Sequence, residues 1–449
     1  MRNARLERAA QRVLDSSSTQ FGIEVTFITP NGSVKGRRVL EFYSTADFVS
    51  KFTTDFDILT MVSLVDYRYK IYPNRDNLKA LVQWFPIDSS SNKYLSPKPL
   101  YADTYRALLF DNDDGATAAA SALSAKQETN SLDEERVIKV ALVEIASESL
   151  SYKNAQGTFR YTDNQNIVEG FIASQIKQEA QLNPAANVKL EMYPIDEVVE
   201  KRDAVTIPIK TRLVDVPEFM QTKEGGLYSN GLGSFIQRDT WWIYPVFDTS
   251  RFTKTTRRLK IIQMSGPYAP MAEQSWLYEN GELTVVCTTA SKMQDISTSA
   301  QINNGTGTRF IKASEMFNNT TGGDPNKEHF NSEGILAEFQ VGKRDDGNNI
   351  AMFSDVAITD NIVNEYSKIA FRKGQIFITI WQRSMARYVY PGMPMRLYYD
   401  KDGQTMVYDG VVMQIDEQWK GETKGMIQKN MIATSAIYCF INKEVTRNG

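Results

Sequence analysis

Any chemistry performed by this chain would have to be built from few reactive side chains. A single histidine, His329, serves all 449 residues, although histidine is the commonest general base and a frequent metal ligand. It stands in the polar stretch Asp324-Pro325-Asn326-Lys327-Glu328-His329 with no partner cluster and reads as a solvated loop residue. Cys287 and Cys439 lie far apart among apolar neighbours and read as buried reduced thiols. Asp111-Asn112-Asp113-Asp114-Gly115 invites a calcium loop, but counting back from its glycine puts Phe110 at the first ligand position, so a plain turn is expected. Gly231 and Gly233 are followed by Ile236 where a dinucleotide fingerprint needs its third glycine, and no lysine follows a glycine-rich loop to hold phosphates. There is no Gly-x-Ser-x-Gly elbow, pair of histidines or pair of neighbouring cysteines. Paired carboxylates for glycoside cleavage need not be close in sequence, and 54 acidic residues nominate no pair. No catalytic residue, metal ligand or cofactor is assigned.

The aromatic residues are the richer signal. With 6 Trp, 21 Tyr and 22 Phe, the chain can build sugar-stacking platforms, cores or interfaces, and packing is the commoner use. Trp241, Trp242, Tyr244, Trp381, Tyr398 and Tyr399 are the candidate interface residues. The net charge of −3 gives no case for a nucleic-acid binder. No apolar run approaches the ~20 residues needed to span a bilayer, and the N-terminus lacks the apolar core of a secretory signal.

The elements that must carry these residues are mostly strands. From Gly374 to Asp416, Ile376, Ile378 and Ile380 alternate with Phe377, Thr379 and Trp381, as a strand requires. Pro391-Gly392-Met393-Pro394 breaks the chain, Asp402-Gly403 reads as a tight hairpin, and Asp409-Gly410 reads as a further turn. Near the N-terminus, Ile23, Val25 and Phe27 alternate with polar residues before Pro30-Asn31-Gly32 turns toward Val39–Phe42. Met61–Val65, Tyr67–Tyr72 and Tyr105–Phe110 add strands by the same pattern. Arg2, Arg5, Arg8 and Arg12 recur at helical spacing opposite Leu6, Ala9, Ala10, Val13 and Leu14, giving an amphipathic helix that docks on its own protein or a neighbour. Asn166–Ala180 repeats its apolar residues every three or four positions and is a second helix, while Glu134–Leu150 mixes periods and is taken as strand.

The fold class expected is mainly β with minor α. The chain divides into an N-terminal helix (1–20), a first β-module (21–112), a polar Ala/Ser/Thr/Gln-rich loop (113–133), a mixed α/β insertion (134–215), an aromatic-rich middle domain with a long polar loop (216–332) and a second β-module (333–449). Leu336–Val341 is expected to resume the sheet. Doubled β-modules, long polar loops and missing catalytic sets favour a part that assembles over an enzyme.

A resemblance sharpens this. Ile207-Pro208-Ile209, Phe219-Met220, Gly226-Leu227-Tyr228 and Trp241-Trp242-Ile243-Tyr244-Pro245, flanked by the two modules, resemble the central baseplate hub protein of contractile-tailed bacteriophages. The segment Pro391 to Tyr399, with Gly410-Val411-Val412 after its hairpin, is similar to the late barrel of such hubs. The resemblance implies two small tube-like antiparallel β-barrels per chain flanking a mixed middle region. It implies a homotrimer whose six barrels adapt the sixfold tail tube to the threefold central spike. The implied partners are the tail tube or tube initiator protein, the spike and baseplate wedge proteins, with no membrane and no specific nucleic acid. The implied place is the virion, after synthesis in the host cytoplasm, and the family carries no catalytic residues. Two other readings stand beside it: a baseplate–tail tube junction or tube initiator forming sixfold rings, and a carbohydrate-binding or carbohydrate-degrading tail protein using Trp241, Trp242 and Trp381.

Overall fold

The computed structural model describes residues 4–16, 20–88, 93–110, 135–184, 187–195, 202–224, 226–264, 275–288, 291–295, 309–312, 350–353, 367, 370–371, 374–401, 404–421 and 430–442. The protein is mainly β with few helices. After helix α1 (Ala4–Leu14), alternating apolar residues form β1 (Gln20–Thr29), β2 (Gly32–Lys35), β3 (Arg38–Asp47) and β4 (Asp55–Ser63). Then come β5 (Lys79–Asp88), β6 (Lys93–Tyr94), β7 (Tyr101–Leu109) and β8 (Glu135–Glu144). The middle region supplies β9 (Asn154–Thr162), β10 (Lys189–Met192), β11 (Arg202–Arg212), β12 (Leu232–Gln237) and β13 (Thr240–Pro245). It is followed by β14 (Arg258–Gln263), β15 (Trp276–Glu279), β16 (Glu282–Cys287) and β17 (Lys292–Asp295). A short parallel pair, β18 (Arg309–Lys312) and β19 (Ile350–Phe353), precedes β20 (Gly374–Gln382), β21 (Pro394–Lys401), β22 (Gln404–Gly421) and β23 (Met431–Asn442).

Among the described residues sixteen strands share one sheet, and part of it closes on itself. Pairings run β22–β3–β4–β8–β7–β5–β1–β23 and return from β23 to β22, the β1–β23 step resting on the single pair Phe21↔Met431. Closure removes the unpaired edges that an open sheet leaves to other chains. The second β unit holds β16, β14, β21, β22, β23 and β20 side by side, with β14 parallel to both β16 and β21. Side chains bring its two flanks together. Thr379 on β20 donates to Gln263 on β14 at 2.7 Å, and the Trp381 indole Nε1 donates to Ser275 Oγ at 3.1 Å.

The two β units therefore share β22 and β23. β22 is 18 residues long and extends about 60 Å at ~3.3 Å per residue. It pairs with β21 through its first half and with β3 through its second, while β23 runs alongside it from Gly410 to Gly421. One apolar core follows it, from Val25, Phe27 and Val82 to Phe377, Leu397 and Ile441. A second core, around Ile167, Ile172, Val205, Met220 and Trp241, belongs to the middle region. Helix α1 docks on its own chain, laying Ala10 and Val13 against Ile262 and Val286.

Four local expectations change. Tyr67–Tyr72 is helical, not a strand, and β4 stops at Ser63 before the turn that takes up Leu64 and Val65. Its alternation defined no buried face, since only Ile71 of Tyr67–Ile71 is buried. The Ser63 hydroxyl accepts from Asp66 N, and Lys70 pairs with Asp66 at 2.8 Å one turn back, as a helix allows. Asp409-Gly410 lies inside β22 and is no turn. Asp409 faces Arg396 across the ladder and takes two guanidinium bonds at 2.6 and 2.9 Å. Gly410 is there for close approach, because a Cβ would lie 2.2 Å from the Phe440 carbonyl oxygen. The Asn31 turn is present but its return, β2, has four residues, and β3 leaves to pair with β4 and β22. The strand expected over Glu134–Leu150 holds only for Glu135–Glu144; Ile145–Ser151 is a helix instead, burying Ala146, Ser147 and Leu150 on one face, and the helix ending at Leu182 is found. His329, the Asp111–Gly115 turn, most of the two polar excursions and the Leu336–Val341 strand lie outside the described residues.

Candidate assembly interface

The aromatic residues proposed for an interface are placed mostly inside. Trp241, Tyr244 and Trp381 have no exposed area, and Trp242 is buried. The polar tips of Trp241, Tyr244 and Trp381 find partners within the protomer. The Trp241 indole donates to Ser234 Oγ at 3.0 Å, and the Tyr244 hydroxyl donates to the Phe48 carbonyl at 2.8 Å. Trp242 stacks on Tyr390 with ring centroids 4.9 Å apart. Tyr398 packs beneath α1, and Tyr399 meets Phe377 edge-on at 6.3 Å. The rings of Trp241, Tyr244 and Trp381 thus offer no surface to another chain.

What they build is a joint. β13 carries Tyr244 against both β units: its hydroxyl reaches the Phe48 carbonyl just past β3, and its ring fills the space above Gly392, where a Cβ would come within 2.2 Å, besides covering its own ladder partner Gly233 on β12 at 2.4 Å. Gly392 has a φ of +67°, which only glycine adopts without strain. Buried Arg251 locks the same point, donating to the carbonyls of Pro245 at 3.1 Å and Gly392 at 2.9 Å while lying over the Tyr193 ring.

A largely enclosed charged cluster, with Glu144 buried and Asp103, Arg238 and Arg387 half-buried, links β7, β8, the β12–β13 turn and the segment before β21. Arg387 grips Asp103 with both guanidinium nitrogens and covers the Tyr101 ring at 4.2 Å. Arg238, at the β12–β13 turn, donates to the Arg387 carbonyl, and its own amide donates to Glu144 Oε1 at 3.2 Å. Burial pushes the Glu144 carboxyl up to about 7, against which the Arg238 amide and charge pull only partly. Burial, with Arg387 nearby, brings Arg238 down to about 10. No spacing in the sequence announces this cluster, since Asp103 and Arg387 are 284 positions apart.

Among the described residues no group of three or more His, Cys, Asp or Glu could hold a metal ion. Cys287 and Cys439 are free and buried, and burial pushes the Cys287 thiol up to about 12. No helix among the described residues is long and apolar enough to cross a membrane.

The outward-facing features are sheet edges. Among the described residues β15 and β17 end the long sheet, each paired on one side only, and β9 and β11 form a separate two-stranded ribbon with two outer edges. Around that ribbon, Tyr152, Tyr161, Leu182 and Ile209 are 81, 74, 82 and 76% exposed. Large apolar side chains so far out of the core are the better interface candidates.

The sequence matches no family model and no curated protein. Solved structures that resemble the chain include the following three. One is a tail protein from Neisseria meningitidis MC58, with a TM-score of 0.49 and 8% identity over 93% of this chain and 96% of that one. Another is the prophage MuSo2 43 kDa tail protein from Shewanella oneidensis, with a TM-score of 0.46 and 8% identity over 92% and 98%. A third is an Escherichia coli component of the type VI secretion system, described as similar to T4 bacteriophage tail proteins, with a TM-score of 0.44 and 8% identity over 90% and 74%.

Proposed function

We propose that this chain is a non-enzymatic structural protein of a phage tail baseplate, a hub that assembles as a homotrimer and adapts a sixfold tail tube to a threefold central spike. The observation that carries the reading is the shared β22–β23 hairpin. A protein that transmits geometry between two neighbours gains from two β units that cannot turn on each other, and a continuous 18-residue strand with one apolar core provides that coupling. The doubled β units supply two similar surfaces per chain, so three chains offer six. The partners in this reading are sister copies, the tube or tube initiator, the spike and wedge proteins, in the virion. The six-part sequence division, with β-barrel modules at 21–112 and 333–449, belongs to the same proposal.

The mass of the intact assembly tests it. Three copies of the 50.9 kDa chain weigh 152.7 kDa. Native mass spectrometry with tube and spike partners present is expected to find that mass. A chain that stays monomeric under those conditions would end the reading, and a hexamer would replace it with a tube initiator.

A further inference from the structure

A recess of about 520 Å³ opens where α1 lies across the second β unit. Its walls carry four cations, Arg12, Lys254, Arg258 and Lys260, against two carboxylates, Glu279 and Glu282. Arg258 and Lys260 converge on Glu282, Arg258 at 2.8 Å, so that group keeps one positive charge. Arg12 meets Glu279 at 2.6 Å, yet the two side chains are 68 and 44% exposed. So open a pair is worth little and exchanges readily. Lys254 has no carboxylate partner among the described residues. The recess is thus net positive on a chain whose total charge is −3. The hydroxyls of Thr253, Thr256 and Thr284 also line it, while that of Thr255 donates to the Arg251 carbonyl at 3.2 Å. The volume lies within the roughly 300–1,000 Å³ of ordinary ligand clefts.

We propose that this recess docks an acidic polypeptide segment of a partner protein. Two spare positive charges and the lining hydroxyls complement carboxylates spaced along an extended chain. Nucleic acid fits worse. Its closely spaced phosphates would meet Glu279 and Glu282 in the wall and a net-negative protein at longer range. A partner carboxylate displacing Glu279 from Arg12 costs little, since that pair is already open to water.

The test uses the full chain and a fluorescein-labelled peptide of alternating glutamate and glycine, read by fluorescence anisotropy at low salt. Binding is expected, weakened about tenfold by Lys254→Glu, unchanged by Lys210→Glu on the distant ribbon, and lost as salt is raised. Unchanged thermal unfolding of Lys254→Glu would show that the effect is local. The proposal is overturned if the peptide does not bind, if Lys254→Glu binds it as well as the parent, if the lysine–glycine counterpart binds equally, or if a single-stranded oligonucleotide displaces the peptide at lower concentration. Each readout is made on the isolated chain, so its failure is distinct from failure to form a trimer.

Discussion

Arg251 donates through Nη2 to the carbonyl oxygen of Gly392 at 2.9 Å, across 141 positions of sequence. The same nitrogen reaches the Pro245 carbonyl at 3.1 Å, and the side chain is buried. One guanidinium therefore ties the end of β13 to the break that precedes β21. Replacing it with leucine leaves two buried carbonyls without a donor, each costing ~1–3 kcal/mol. Arg251→Leu is expected to lower the urea midpoint by the equivalent of about 3 kcal/mol without changing the slope of the transition.

Gly410 and Gly32 make a matched pair. A Cβ at Gly410 would lie 2.2 Å from the Phe440 backbone, whereas at Gly32, with φ of +115°, it meets nothing within 4 Å. Gly410→Ala must force β22 from β23 and is expected to cost more than about 3 kcal/mol or abolish folding. Gly32→Ala carries only the backbone strain, about 1 kcal/mol. Thermal unfolding of the two variants side by side checks the contrast, and equal losses would show that the β22–β23 contact is not so close.

The buried Glu144 makes stability depend on pH. Its carboxyl is raised to about 7 from an ordinary 4.5, chiefly by burial, with Arg238, Asp239 and Asp103 as the nearby charges. A raised folded value favours the protonated form on folding. Its contribution is fully present below about pH 4.5 and is lost as pH rises through about 7. Glu144→Gln, which stays neutral, is expected to gain on the parent by a few kcal/mol between pH 5 and pH 8. Urea titrations at the two pH values measure the difference, and a pH-independent gap would mean that Glu144 titrates normally.

Buried and exposed aromatic or aliphatic residues are expected to act on different quantities. Trp381→Ala empties a site with no exposure and should cost ~3–5 kcal/mol of stability. Ile209→Ser, at a position 76% exposed, should leave the unfolding midpoint within about 0.5 kcal/mol and reduce the population of the assembled state. Unfolding curves and native mass spectra of both variants separate the two effects.

Cys287 and Cys439 are expected to resist alkylation in the folded chain, because burial keeps both as neutral thiols. Iodoacetamide labelling should follow global unfolding across a urea series. Rapid labelling in buffer would place one of them at the surface.

The sequence by itself determined the class of the fold and most of its strands. Alternation at Ile23–Phe27 and Ile376–Ile380, and the helical repeat ending near Ala180, are local patterns that one face of burial imposes on the chain. The scarcity of histidine and cysteine likewise bounds the chemistry open to the chain, because composition alone limits which sites can be built. Only the tertiary structure decided what the special residues are for. Asp409-Gly410 has the composition of a turn, but a cross-strand arginine and a neighbouring backbone hold it straight. Tyr67–Tyr72 alternates like a strand, yet with no two-sided environment to pair with, a cap and a one-turn ion pair coil it. The tryptophans and Tyr244 were legible as packing residues but not as buried ones, and the Asp103–Arg387–Arg238–Glu144 cluster was not legible at all. Burial and long-range pairing depend on residues hundreds of positions away, and local periodicity carries no record of them.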